Sequence, residues 1–411
     1  MLDVNLIRQN PEIVKEGIKK KNYPPSLVDE FLAVDEEWRK LTEETDGLRS
    51  QQKKLSEERK IEEAKSLKGK IQSLEESLRS VEEKRKQLLN KFPNLPFEDV
   101  PVGKDDSGNV VLKVVGDLPK WDFAPKDYME LGQNLGIIDT ETASKTSGSR
   151  FGYLKGGAAM LEFALIKLAM EKAMNKGFVP VVPPVMIKSE MMKAMGYVDR
   201  REDQDETYFL DKDDLYLVGT SEQSIGPMHS GEIFDEKDLP KRYVGFSTCF
   251  RREAGSYGKD TKGILRVHQF DKIEMFSFCN PENSKEEHEL ILSIEEELMQ
   301  ALKLPYHVLR ICTGDLGSPA AAKYDVETWV PSENKYRETH STSNCTDFQA
   351  RRLNIRYKDK QQGNKFIHTL NGTAFAIGRM IIAIIENYQQ KDGSILVPEV
   401  LREYVGVDRI K

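Results

Sequence analysis

From Leu27 onward, a stripe of mostly apolar residues recurs at alternating steps of four and three: Leu27, Phe31, Val34, Trp38, Leu41, Thr45, Leu48, Gln52 and Leu55. That spacing keeps every member on one face of an α-helix and is the pattern of a coiled-coil seam. A charged interruption follows at Glu57 to Glu63. The spacing then resumes through Ala64, Leu67, Ile71, Leu74, Leu78, Val81, Arg85 and Leu88 and stops near Phe92-Pro93. Two helices of similar length with a connector of about seven residues predict an antiparallel hairpin whose seams zip together within one chain. A parallel coiled coil between two chains needs one unbroken seam, and the break at the midpoint argues against it. At 1.5 Å per residue the first helix, Leu27 to Ser56, is about 45 Å long, more than a small core requires, so it is expected to project as an arm. Acids and bases nearly balance along it, so composition leaves open whether the arm is a solvated spacer or grips a partner.

With 411 residues, 38% hydrophobic and 31% charged, the chain has room for two or three domains. A net charge of −7 argues against coating nucleic acid by bulk electrostatics, so an RNA partner must meet local basic patches. Cys249, Cys279, Cys312 and Cys345 lie far apart, with no Cys-x-x-Cys pair, and read as reduced thiols rather than zinc ligands. The charged N-terminus lacks a signal-peptide core, and no apolar run approaches a membrane span. A cytoplasmic protein with no membrane association is expected.

The segment 91–109, KFPNLPFEDVPVGKDDSGN, is rich in Pro, Gly and Asp and reads as a linker. It places an N-terminal domain at about 1–100, with its arm at about 27–92, and a second domain at 101–411. The second domain mixes helices such as Ala158 to Lys176 with short strands, two of them paired as a hairpin across Gly255 to Gly263. An α+β fold on an antiparallel sheet is expected. Neither a dinucleotide fingerprint nor a GxxxxGK[ST] loop is present, so any use of ATP proceeds without a P-loop.

The richest stretch, 246–278, reads as strand, glycine-bearing loop, strand. Alternation puts Arg251 and Glu253 on one face of the first strand, and Arg266, His268, Phe270, Lys272 and Glu274 on one face of the second. Periodicity alone fits an ordinary solvated face with cross-strand ion pairs. The residue types point further: bidentate guanidinium groups suit phosphate, a ring suits a base, and a carboxylate suits an ammonium. At 366–388 a strand is expected to end around Asn371-Gly372-Thr373, followed by a helix that buries Phe375, Ile377, Met380, Ile381, Ile384 and Ile385. Arg379 beside that stretch needs an anion or a stacking partner, and Glu386 on the same helix is one available partner. Leu215 to Gln223 reads as a strand entering a helix, with Thr220 and Gln223 at capping-box spacing.

Together these runs resemble the class II aminoacyl-tRNA synthetases, and the seryl family in particular. Phe250-Arg251-Arg252-Glu253 matches motif 2, the run Arg266 to Phe270 is similar to the seryl form, 366–388 matches motif 3, and Gly177 to Pro184 resembles motif 1. The resemblance covers essentially the whole chain, including the hairpin. It implies an N-terminal antiparallel coiled-coil hairpin that binds tRNA and a class II antiparallel-sheet catalytic domain. It implies that serine is joined to tRNA(Ser) through a seryl-adenylate, and that tRNA(Sec) is serylated where present.

By the same resemblance, Arg251 bridges the ATP α-phosphate and the serine carboxylate, Glu253 holds the adenine amino group, Arg266 meets the γ-phosphate, and Phe270 stacks on adenine beside the Val267 backbone. Arg379 packs over the adenine, and Arg252 joins the ATP set. Arg251, Arg379 and Glu274 carry the catalysis, with Glu274 on the serine hydroxyl. Thr220, Ser221, Glu222, Asn371 and Thr373 complete the serine pocket. Glu338, Thr339, His340 and Ser341 form a further ATP wall, with Glu338 and Ser341 as ligands of a Mg²⁺ that bridges the phosphates. Residues three apart in a regular strand face opposite ways, so that pair needs a bulge or a water. Motif 1 implies a homodimer, and no zinc is expected. Two other readings share the motifs: a ligase that loads an amino acid onto a carrier, and an inactive relative that binds RNA through the arm. The hairpin counts against the first, and the presence of Arg251, Glu253 and Arg379 against the second.

Overall fold

The computed structural model describes residues 1–199, 205–254, 263–361 and 363–411. The chain forms two compact units, Met1–Leu95 and Pro96–Lys411.

In the first unit, short helices α1 (Val4–Gln9) and α2 (Pro11–Lys20) precede the long pair α3 (Ser26–Glu57) and α4 (Ile61–Asn90). The long pair is the expected hairpin, and every seam position named above is buried or half-buried. The connector is shorter than the charge pattern suggests: only Glu58, Arg59 and Lys60 separate the helices, with Arg59 left-handed at φ 62°. Glu and Lys favour helix even when fully solvated, so the charged stretch extends both helices instead of breaking them. Of the polar seam members, Gln52 reaches across the hairpin to donate to the Ala64 carbonyl at 3.1 Å, while Thr45 bonds the Leu41 carbonyl of its own helix.

At its base, the fully buried Asp35 accepts from Arg8 (2.7 and 2.8 Å) and Arg85 (2.7 Å), which ties α1, α3 and α4 together. Burial pushes the Asp35 carboxyl up, and the two arginine contacts outweigh it, so the pKa lies below its usual value. A depressed carboxylate pKa contributes stability above the ordinary Asp range, lost as pH falls through the folded value. Asp35→Asn strands two guanidinium groups and is expected to destabilise this unit by about 3 kcal/mol at neutral pH. Denaturant unfolding followed by far-UV circular dichroism measures it, and the deficit should begin to shrink below about pH 4, where the unfolded carboxylate takes up a proton, and go on shrinking until the native one does at lower pH.

The segment that reads as a linker is packed on both sides of the unit boundary. Phe92 is fully buried edge-on against Phe31. Beyond Pro96, Phe97 donates its N–H to Ala321, and Val100 is buried with Leu309 and Ile311. Pro and Gly mark the loss of regular structure there, not the loss of packing.

The second unit is built on an eight-stranded sheet of β1 (Val110–Val115), β2 (Val179–Val181), β3 (Lys241–Phe250), β4 (Gln269–Cys279), β5 (Tyr306–Arg310), β6 (Ala322–Val330), β7 (Lys335–Asn344) and β8 (His368–Ala376). The spatial order is β1-β5-β6-β7-β8-β4-β3-β2, antiparallel except for the β2–β3 pair. Helices α5 (Gly157–Met174), α6 (Ser284–Ala301) and α7 (Ile377–Asn387) bury Leu161, Ile294 and Ile381 against Ile273, Met275 and Phe375. Ile273 and Met275 alternate along β4 with Lys272 and Glu274, so covering one face leaves the other for polar chemistry. The stretch that resembles motif 1 supplies the edge strand β2, and 255–262, within the expected β3–β4 turn, lie outside the described residues.

Candidate active site

Two irregularities in the sheet decide which side chains meet. On β7, Asp325 pairs with Ser341 and Val326 with His340, and then Glu327 pairs with Glu338, leaving Thr339 as an extra residue. This bulge resets the alternation, so Glu338 and Ser341 face the same side although they are three apart. On β8, Ile273 pairs with Phe375 and Glu274 with Thr373, leaving Ala374 as the extra residue. That puts Phe375 in the core while Thr373 and Asn371 share the polar face. The strand continues to Ala376, so Phe375 belongs to β8 and not to the following helix.

The motif 2 strands are shorter than alternation predicts. β3 ends at Phe250 and β4 begins at Gln269, so Arg251, Glu253, Arg266 and His268 lie beyond the regular strands. Pairing persists one step further, where Arg251 donates its N–H to the His268 carbonyl. Glu253 then turns left-handed at φ 52°, and its Oε2 meets Arg266 at 3.3 Å. The two are neighbours through that turn, not through a shared strand face.

One cleft is lined by Arg251, Glu253, Arg266, Val267, Phe270, Lys272, Glu338, Thr339, His340, Ser341, Thr373 and Arg379. The Arg251 guanidinium is held by the Gly219 carbonyl at 3.2 Å and sits 5.4 Å from the Phe270 ring centroid. Arg379 donates to Glu338, at 2.7 Å to the carbonyl and 3.2 Å to the carboxylate. Glu386 serves another purpose, accepting from Ser332 and from the Tyr128 N–H. Desolvation raises the Glu338 pKa, but Lys323, Arg379 and Arg251 overcome it and hold the carboxylate at about 2. Thr339 and His340 are buried and hydrogen-bonded to each other at 2.8 Å.

A second pocket adjoins this cleft through the shared residues Arg251, Lys272 and Ser341, and adds Thr220, Glu222, Glu274, Lys323 and Asn371. Glu274 is 1% exposed, and its Oε2 accepts from Thr373 at 3.2 Å and pairs with Lys272 at 2.5 Å. Burial, then the nearby Glu274, push the Glu222 carboxyl up to about 8.

Two expected members stand apart. Ser221 is fully buried with its hydroxyl on the Gly245 carbonyl, and Arg252 is exposed over the Tyr208 ring. Thr220 makes no capping box: Gln223 bonds the Gly219 N–H instead, at 2.8 Å, and the short helix Glu222–Ile225 lacks a side-chain cap. Lys272, and the half-buried Lys323 paired with the buried Asp325 at 2.9 Å, have no role in the sequence-based expectations. The alternation from Phe270 to Glu274 was the signal for Lys272.

Residues 207–388 match the family model described as tRNA synthetase class II core domain (G, H, P, S and T). With the antiparallel sheet, the absent P-loop and the arginine-lined cleft, this defines a class II aminoacyl-tRNA synthetase core. Residues 1–96 match the Seryl-tRNA synthetase N-terminal domain. The serine–tRNA ligase of Acidothermus cellulolyticus is 46% identical over 100% of this chain and 99% of its own length. The crystal structure of seryl-tRNA synthetase from Pyrococcus horikoshii complexed with ATP superposes with a TM-score of 0.93 at 41% identity, covering 100% of this chain and 99% of that one. The cytoplasmic serine–tRNA ligase of Naegleria fowleri in complex with AMP follows at 0.90 and 36%, with the same coverage. The chain belongs to the seryl-tRNA synthetase family.

Proposed function

We propose that this protein activates serine with ATP and esterifies it to tRNA(Ser), and to tRNA(Sec) where that tRNA is present. The observation that carries the reading is the junction of the two pockets at Arg251. On one side stand Thr220, Glu222, Glu274 and Asn371, suited to a small amino acid with a hydroxyl; on the other stand Phe270, Glu253, Arg266 and Arg379, suited to a nucleoside triphosphate. The ATP bound by the Pyrococcus relative supports the second assignment.

The serine carboxylate oxygen attacks the α-phosphorus, the bond to the β-phosphate oxygen breaks, and pyrophosphate leaves. Arg251 holds both reacting groups, while Arg266 and Arg379 take up charge on the phosphates, so catalysis rests on position and electrostatics. The terminal ribose hydroxyl of tRNA then attacks the adenylate carbonyl and releases AMP. Glu338, ionised and on one face with Ser341, offers hard oxygen donors that fit Mg²⁺. A bound Mg²⁺ supplies charge neutralisation on the phosphates. No role for zinc is proposed.

The helical arm is the tRNA-binding element, and a homodimer through motif 1 accounts for exposed apolar residues in that region, Val179 on the edge strand, Val182 just beyond it and Phe163 on α5. The expected compartment is the cytoplasm. Pyrophosphate exchange with each amino acid in turn tests the reading: exchange is expected with serine alone, and exchange with threonine or proline instead would refute the specificity.

A pH effect follows from Glu222. With its pKa near 8 in the empty pocket, this carboxyl is mainly protonated at neutral pH, and the substrate ammonium favours its ionised form. Serine binding therefore releases a proton, and affinity rises with pH up to the empty-pocket value. The KM for serine is expected to fall by up to about tenfold per unit between pH 6 and 8. Glu222→Gln should flatten that profile.

A further inference from the structure

Lys272 is nearly buried, its side chain 10% exposed, in the middle of the pocket floor. On β4 it falls between Phe270 and Glu274, and it borders both the amino-acid pocket and the nucleotide cleft. Its Nζ pairs with Glu274 Oε2 at 2.5 Å and donates to Thr220 Oγ1 at 3.2 Å. Glu222, two residues from Thr220, lines the same pocket as Glu274. An ammonium group thus already sits among Thr220, Glu222 and Glu274, where the substrate ammonium is to bind.

Neutralising Glu274 alone does not explain this placement. A buried ion pair is a weak stabiliser compared with apolar packing of the same volume, and neutralisation does not require the contact with Thr220. An ammonium that bridges the hydroxyl and the carboxylate does suit a place that must hold a cation both before and after substrate arrives.

We propose that Lys272 is a positioning residue for serine: it holds the ammonium berth of the empty pocket and, when serine enters, yields Thr220 and Glu222 while remaining on Glu274. Lys272 and Thr373 then hold the same oxygen, Oε2, which leaves Oε1 for the substrate hydroxyl. Glu274 is thereby fixed in one orientation, and the pocket keeps a balanced charge when it is empty. This inference rests on the serine-activating function proposed above.

The test is steady-state pyrophosphate exchange by the full-length protein and by Lys272→Met, with serine and with alanine. Serine-dependent exchange by the wild type is the control, and its absence would overturn the functional reading itself. Given that control, Lys272→Met is expected to raise the KM for serine at least about thirtyfold and cut the preference for serine over alanine at least about tenfold. The KM for ATP should stay within about threefold. A folded Lys272→Met protein whose serine KM and alanine discrimination are unchanged would overturn the proposal, as would equal losses for serine and ATP. If that variant fails to fold, a crystal structure of the wild type with a seryl-adenylate sulfamoyl analogue decides: Nζ on Glu274, with the analogue's ammonium at Thr220 and Glu222, supports the exchange. Nζ still on Thr220 refutes it.

Discussion

Glu274→Ala is expected to abolish serine-dependent pyrophosphate exchange, with kcat/KM falling by at least about a thousandfold. Glu274 is 1% exposed, so its carboxylate works where water does not compete, and a contact to a hydroxyl there is worth more than in solution. The substitution removes the proposed acceptor for the substrate hydroxyl and also strands Lys272 beside Glu222, leaving a buried cation without its closest anion. The loss should be specific to the amino acid. Arg251, Phe270 and Arg379 keep their positions, so ATP binding measured calorimetrically should change by less than about threefold. Exchange at the wild-type rate would remove Glu274 from the pocket assignment.

Shortening the arm is expected to separate the two half-reactions. The paired seams place Leu41 opposite Leu78, between the Asp35–Arg85 contact at the base and the Arg49–Glu75 contact further out. Replacing residues 42–77 by a short turn spares the apolar cluster of Leu27, Phe31, Val34, Leu88 and Phe92 that stabilises the first unit. Pyrophosphate exchange should remain within about threefold of wild type, because no proposed active-site residue is removed. Charging of tRNA should fall by at least about a thousandfold in kcat/KM if the helices hold the tRNA by shape and backbone. Undiminished charging would make the arm a spacer.

What the sequence made legible was period and residue type. The heptads from Leu27 to Leu88 named both long helices, and the alternation around Phe270 and Glu274 placed the central pocket wall. Less legible were features set by pairing between distant strands. Nothing local marks Thr339 or Ala374 as the extra residue of a bulge, yet those two positions bring Glu338 beside Ser341 and Thr373 beside Glu274. Glu253 carries no glycine-like signal for its left-handed turn. Thr220 and Gln223 had the right spacing for a cap, but a tertiary contact with Lys272 engaged the Thr220 hydroxyl and the neighbouring Gly219 N–H engaged Gln223. Ser221, adjacent to two pocket residues in sequence, has helical backbone angles, and its hydroxyl goes to the Gly245 carbonyl instead of into the pocket. The pro-rich segment before β1 reads as a free linker because composition reports local regularity and not what the segment packs against.

Serine activated at the Arg251 junction is proposed to end as an ester on tRNA. The most direct measurement incubates the full-length protein with ATP, Mg²⁺, all twenty amino acids and total tRNA, then identifies both the esterified amino acid and the tRNA by mass spectrometry. The expected result is serine alone, on serine-family tRNA and on selenocysteine tRNA where present. Adenylate formation without any aminoacyl-tRNA, or serine recovered on a carrier protein or small molecule, would contradict the account.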